Sequence, residues 1–383
     1  MAAKVVAQFF ETHPQHEGGC YDKYVVTDGT GRKWTLMSDS SIACTHKNGV
    51  AASRSYSVEF VSPICTYGDI PVIQQLVRDL RAAGGVPRGQ ILARDTPHLD
   101  SIQTRFGACN SSTGIHIHIN AEPYNALKLR NLVNIVASKE DIIYDALQVG
   151  MSRAHYCKKV DRSFLQKLNA AKPRTMDEIK DIWYDGRDGS NYHYHDSRYH
   201  LLNLHSMFSK GTVEFRAFNS TLHAGVIRSY LVFCRTPAEG RPARLTFGCS
   251  VCLAISNQAL SQKSAQWKPT HSPNQKYTFR TWLLRLGLIG EEFKNCRKHL
   301  LSHLEGNIAW LHPEDAIAQR ERLKQERIAA RSQAVEQQAP CEPAVAAVCN
   351  VPEEVRETPH ENLQGVVSDC EEFDETEEMS MTM

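Results

Sequence analysis

The chain has 383 residues, 42% of them hydrophobic, enough to bury a sizeable core in one large domain or two ordinary ones. Its formal charge of +1 hides an uneven balance, because residues 341–383 carry twelve Asp/Glu and one Arg and leave about +12 on residues 1–340. Nothing approaches the roughly 20 apolar residues of a membrane span, and Met1-Ala2-Ala3-Lys4-Val5-Val6 lacks the apolar run of a signal peptide, so a soluble, cytoplasmic protein is expected.

A basic body attracts anions, and a nucleotide triphosphate satisfies it as well as nucleic acid does. The twelve cysteines have no repeating spacing, which fits free thiols in a reducing compartment. Cys249-Ser250-Val251-Cys252 is the sole Cys-x-x-Cys, and it has no second pair beside it to complete a zinc site.

In chain order, Val25-Val26, the turn Asp28-Gly29-Thr30-Gly31 and Trp34-Thr35-Leu36-Met37 predict a hairpin between Tyr24 and Ile42. Tyr56-Ser57-Val58-Glu59-Phe60-Val61 predicts a strand ended by Pro63. A helix follows, capped by Asp69, with Val72, Ile73, Leu76, Val77 and Leu80 at helical period and Gly84-Gly85 as its stop. Ile115-His116-Ile117-His118-Ile119 alternates strictly, giving a strand with isoleucines on one face and histidines on the other. Two helices are expected next, one over Tyr124–Ala137 and one opened by a Ser138/Asp141 capping box and stopped at Gly150. A polar helix near 161–183 leads to a Tyr/His-rich loop over Asp185–His200, then to the strand Thr212–Phe218 and a helix from Ala224. Residues 311–340 favour an exposed charged helix. The acidic stretch 341–383 cannot bury enough apolar surface to order itself, so its removal is expected to leave folding intact.

Three predicted strands carry ionisable groups on one face: Glu59; His116 and His118; Glu214 and Arg216. Such a face is costly to bury unless its groups pair or bind something, although an antiparallel sheet can also turn it to water. Carboxylates supply hard oxygen ligands for magnesium or manganese, an imidazole adds a nitrogen, and substrate phosphates complete the shell. Arg216, two residues beyond Glu214, points from the same face and suits a phosphate. The bland alternatives are a solvated His-x-His pair, a zinc site, and an ordinary surface Glu–Arg pair. Tyr192-His193-Tyr194-His195 resembles a binding loop but also suits packing, and Asn110–Gly114 is either an anion cradle or simply the turn into the histidine strand.

Taken together, Val58-Glu59-Phe60-Val61-Ser62-Pro63, Thr113-Gly114-Ile115-His116-Ile117-His118 and Gly211-Thr212-Val213-Glu214-Phe215-Arg216-Ala217-Phe218-Asn219 resemble the amidoligase family of carboxylate–amine ligases, in order and in spacing. The resemblance covers about residues 5–310. It implies an α+β fold in which a curved, mostly antiparallel sheet packs on helices, as in the glutamine synthetase/glutamate–cysteine ligase-like catalytic domain. It also implies ATP with Mg2+ or Mn2+, an acyl-phosphate intermediate, and small-molecule or peptide amine and carboxylate substrates. By resemblance Glu59, His116 and Glu214 are metal ligands, Arg216 contacts phosphate or the phosphorylated intermediate, and His118 and Arg198 are weaker nucleotide contacts. Glu59 enters as a catalytic base only if it is not committed to metal; otherwise His195 or His200 could reach in.

Three departures from the family pattern accompany the match. Members begin with a strand bearing Gly-x-Glu-x-Glu, and Met1 falls after that point, so this acidic strand is expected to be missing. Residues 87–109 and 235–252 look inserted. A second expectation is therefore a relative that keeps the fold and binds ligand without turnover. A third, a nucleic-acid-binding protein, ranks below both because Lys and Arg are dispersed rather than gathered in a stripe.

Overall fold

The computed structural model describes residues 1–46, 50–85, 108–109, 113–232 and 250–337. The chain divides into two units, Met1–Leu323 and Lys324–Met383. The first unit is α+β, with antiparallel sheets packed on helices. Most of the inserted-looking segments 87–109 and 235–252, the Cys249-x-x-Cys252 pair as a whole, Asn110–Ser112 and the acidic stretch 341–383 lie outside the described residues.

Helix α1 (Ala2–Phe9) precedes β1 (Gln15–Gly18), β2 (Lys23–Thr27) and β3 (Lys33–Met37). The β2–β3 hairpin forms because Asp28 organises its turn: one carboxylate oxygen accepts from the Thr30 and Arg32 amides at 2.9 and 3.0 Å, and Gly31 supplies the left-handed φ of 81°. The other oxygen takes the indole N–H of buried Trp34 and the Arg32 Nε. Arg32 then reaches Asp69 with both terminal nitrogens, at 3.0 and 2.9 Å, tying the hairpin to α2 (Ile70–Ala82). Asp69 is not a simple cap of α2. Its carboxylate closes a capping box with Thr66 around a short 3-10 turn, Tyr67–Asp69.

A two-residue strand, β4 (Cys44–Thr45), and β5 (Glu59–Val61) come before α2. The expected strand from Tyr56 is shorter than its residue types suggest, because Arg54–Tyr56 turns as 3-10 helix and buries the Ser57 hydroxyl on the Arg54 carbonyl. The order β1-β2-β3-β5 makes one four-stranded sheet. Val26, Trp34 and Leu36 meet Val6 of α1 and Ile73 and Leu76 of α2 in the core.

The small strand β6 (Ala108–Cys109) pairs with β4. After it, β7 (Gly114–Asn120) carries the alternating histidines, with Ile117 and Ile119 each 1% exposed. Helix α3 (Ala126–Leu147) is continuous where two helices were expected. Asn125 caps it through the Lys128 amide, while the Ser138 hydroxyl bonds back to the Ile135 carbonyl and so never acts as a cap. Gln148, not Gly150, takes the left-handed position that ends it. Gly150 instead precedes α4 (Met151–Ala154). The polar helix predicted over 161–183 is two, α5 (Arg162–Ala171) and α6 (Met176–Trp183), separated where Lys172 turns left-handed before Pro173.

Strand β8 (Leu202–Asn203), helix α7 (His205–Lys210) and β9 (Thr212–Asn219) complete a second sheet in the order β7-β9-β8. Among the described residues the single curved sheet expected from sequence is divided, with β5 and β9 in separate ladders. Helices α8 (Ala224–Val232), α9 (Ser250–Ser261), α10 (Gln275–Arg285) and α11 (Lys294–Leu301) follow. The apolar face of the second sheet meets α3, α9 and α10 around a cavity of about 20 Å³ lined by Val136, Phe215, Ala217, Phe218, Ile255 and Phe279. Helix α8 packs on α2, and the Gln74 side chain donates to the Ala224 carbonyl. Helix α12 (Pro313–Gln337) is charged and largely exposed. Among the described residues no helix is long and apolar enough to cross a membrane.

Candidate functional site

The polar face of the second sheet gathers the residues that the pattern singled out. Glu214 is centrally placed on β9 and 4% exposed. It sits opposite His118 on β7 and opposite Asn203 on β8, so both neighbouring strands bring a side chain to it. Its Oε1 accepts from Arg216 Nη1 at 2.6 Å and lies 3.4 Å from His116 Nδ1 and 3.9 Å from His118 Nε2. Its Oε2 accepts from the Asn203 amide at 2.6 Å. Burial acts to raise the Glu214 carboxyl, but Arg216, His116, His118 and Asn203 outweigh it and hold the group down at about 2.

Arg216 is buried with it. Its Nε donates to the Tyr156 carbonyl at 3.2 Å and its guanidinium rests 5.9 Å from the centre of the Tyr199 ring. The expectation that Glu214 would hold a metal and Arg216 a phosphate thus meets a direct ion pair between the two. His118 is oriented by Thr212 Oγ1 at 2.9 Å and Ser206 Oγ at 3.3 Å on Nδ1, which leaves Nε2 toward Glu214. The His116 side chain is 34% exposed. Desolvation by the surrounding protein and the positive charge of Arg216 lower its pKa, more than Glu214 raises it, so the imidazole is neutral at pH 7. Burial likewise lowers His118, with Lys210, Arg216 and Arg198 adding to it.

Glu59 reaches this group from the other sheet. It is accessible to solvent, yet enough protein surrounds its carboxyl to raise the pKa, and Asp39 and Glu214 raise it further against Lys210 and Arg216. The Glu59 carboxyl on β5 is thus close enough to β9 to feel the charges of Glu214 and Arg216. Arg198 stays with its own loop, donating to the His193 carbonyl at 2.8 Å and lying between the Tyr194 and Tyr199 rings, 5.8 and 5.6 Å from their centres. It influences His118 through space only. The two other histidines considered as bases serve the loop's packing. His195 bonds Ser197 and stacks on His205, which in turn bonds the Tyr184 hydroxyl at 2.7 Å. His200 donates to the Ser197 carbonyl at 2.9 Å and meets the Trp183 ring edge.

Four contributors were not singled out from sequence. Asn203 could have been noticed as a lone amide between Leu202 and Leu204. Lys210, at the end of α7, and Asp39, just beyond β3, carry no motif. Arg153, 1% exposed in a four-residue helix, donates to the Arg216 carbonyl and reads in sequence as a surface residue.

Among the described residues no three His, Cys, Asp or Glu side chains are placed to hold a metal ion. The donor chemistry suits a hard cation that arrives with polyphosphate, since magnesium is commonly held by only one or two carboxylates and completes its shell with phosphates and water. Glu59 is the solvent-accessible carboxylate, and Glu214 lies near enough to raise its pKa. The centre sets the Glu214 carboxylate and the neutral His116 imidazole beside the buried Arg216 guanidinium, with the Glu59 carboxyl within electrostatic reach.

The family model described as "Putative amidoligase enzyme" matches residues 1–90 and 88–237. No curated protein and no solved structure matches the chain. The two matched segments contain β5, β7 and β9, the strands that bring Glu59, the paired histidines and Glu214 with Arg216 to one centre. The chain belongs to the amidoligase family.

Proposed function

We propose that this chain is an ATP-dependent carboxylate–amine ligase, with a catalytic core of the glutamine synthetase-like kind, acting on a small-molecule or peptide carboxylate and amine. The observation that carries this reading is the gathering of His116, His118, Glu214 and Arg216 on one sheet face, with the charges of Glu59, Lys210 and Arg198 near enough to influence it. In the proposed reaction a substrate carboxylate oxygen attacks the γ-phosphorus of ATP and ADP leaves. The amine nitrogen then attacks the acyl carbon, phosphate departs, and the nitrogen gives up a proton. Charge moves through both steps onto phosphate oxygens, which is where fixed cations are most effective.

Arg216, paired with Glu214, would present its guanidinium to the phosphates. Lys210 and Arg198 supply further positive charge toward polyphosphate or carboxylate. The Glu59 carboxylate, with no side-chain hydrogen bond among the described residues, would face the cationic partner. Bound Mg2+ or Mn2+, held through Glu59 and Glu214 with His116 adjacent, would neutralise the phosphates.

Calorimetric titration of ATP with magnesium or manganese tests the reading, beside Glu214→Ala and His116→Ala. Metal-dependent binding that both variants abolish supports it and justifies screening amines and carboxylates for ADP release. Wild-type protein that binds nucleotide with neither metal refutes it.

A further inference from the structure

Between β7 and β9 the ladder slips by one residue. Ile115 pairs with Phe218 but Ile117 with Phe215, so Arg216 and Ala217 together stand opposite His116. Such a bulge takes backbone groups out of the ladder and re-aims side chains, and it needs other partners to hold it. The Arg216 amide extends the β8 side of the ladder by donating to the Leu201 carbonyl at 2.8 Å, and the Arg216 carbonyl accepts from the buried Arg153 guanidinium. The Arg216 side chain reaches back to the same segment through its bond to the Tyr156 carbonyl. The short stretch around α4 therefore grips Arg216 twice, once by its main chain and once by its side chain.

Arg153 can lie there because of a glycine. A Cβ on Gly114 would overlap three atoms of the Arg153 guanidinium. The first residue of the histidine strand is thus the seat of an arginine that arrives from a different part of the chain. The helix start that presents Arg153 is fixed by its amide on the Gly150 carbonyl at 2.9 Å, and its carbonyl accepts from Cys157 Sγ at 3.3 Å.

We propose that Arg153 is the positioning residue for Arg216, holding the bulge that turns Arg216 toward Glu214 and the cleft, and that Gly114 is required as the seat of its guanidinium. The packing half of this inference stands on geometry alone; its consequence for ligand binding rests on the nucleotide reading above.

The test compares Gly114→Ala, Arg153→Met and the double variant by thermal melting, by hydrogen exchange over Thr212–Asn219, and by titration of ATP with magnesium. Each single variant is expected to melt lower and to speed exchange chiefly in β9. The double variant should melt no lower than the worse single one, because the new Cβ then enters an empty seat. Nucleotide affinity should fall roughly 10–100-fold, the range found when partners that orient ligating groups are removed. Arg153→Lys, which keeps the charge without the planar fork, provides the same comparison if the methionine variant does not fold. Additive melting shifts would overturn the proposal, as would wild-type exchange in β9 when Arg153 is replaced. Wild-type protein that binds no nucleotide would sink the ligase reading and leave melting and exchange to decide this one.

Discussion

Glu140 lies within α3, 5% exposed, with its two carboxylate oxygens 2.9 and 3.1 Å from the Val160 amide nitrogen. Burial pushes the carboxyl up to about 7, more than the Val160 N–H and Lys159 pull it down, and Asp141 adds to the rise. Because the folded value lies above the ordinary 4.5, the folded state holds the proton more tightly than the unfolded one. Whatever stability that proton supports is fully present below pH 4.5 and is lost as pH rises through about 7. At about 1.4 kcal/mol per pH unit, the ionised carboxylate costs the fold roughly 3 kcal/mol at pH 8. A Glu140→Gln variant keeps an acceptor for the Val160 amide and resembles the protonated acid in shape and in bearing one donor side. It should match wild type at pH 4.5 and exceed it by roughly 3 kcal/mol at pH 8. Urea denaturation at pH 4.5, 6 and 8 reads this difference directly, and the comparison cancels every other group that titrates. A variant no more stable than wild type at pH 8 would show that the Val160 bond outweighs burial and that Glu140 is not held protonated by the fold.

Other perturbations have definite directions. Asp28→Asn removes the charge that Arg32 and the Trp34 indole converge on; because Arg32 is about a third exposed, the cost should be roughly 2–3 kcal/mol at pH 7, below that of a wholly buried pair. Burial works to raise Asp28, but Thr30, Trp34 and Arg32 hold it well below the ordinary carboxylate value, so its contribution is present above pH 3.8 and fades on further acidification. The gap between wild type and this variant should therefore be smaller at pH 2.5 than at pH 7, and a constant gap in urea midpoints would contradict the assignment. Gln148→Gly relieves a left-handed residue at φ 49° and should raise the unfolding free energy by about 0.5–1 kcal/mol; a loss would mean that the side chain has a packing role. Asn203→Ala strips Glu214 Oε2 of its 2.6 Å donor and should cost about 1–3 kcal/mol, with weaker nucleotide binding; unchanged values in both assays would remove Asn203 from the site.

The helices and strands with the simplest residue codes were the most legible. The isoleucine–histidine alternation places β7 correctly because a two-residue period has only one way to bury its apolar side. Glu214 and Arg216 were expected on one face and are found there, but sequence spacing could not say that they would bond to each other. Boundaries failed where local chemistry had two uses. Ser138 and Asp141 have capping spacing, yet the buried face of α3 runs straight through them and the serine hydroxyl turns back on its own helix. The same limit hid Arg153 and Asn203, whose partners come from remote segments: no local pattern records that a glycine at 114 makes room for a guanidinium at 153.

The two carboxylates of the centre hang from ladders that share no strand among those described. Backbone hydrogen bonds fix spacing within a ladder to a few tenths of an ångström, but the span from Glu59 to Glu214 is instead set by how side chains stack beneath, through α2 lying on α8. The centre is therefore a pair of jaws whose gauge is written in the core. A methyl group gained or lost at Ile73 or Ile227, far from any ionisable atom, would change the bite before it changed the chemistry.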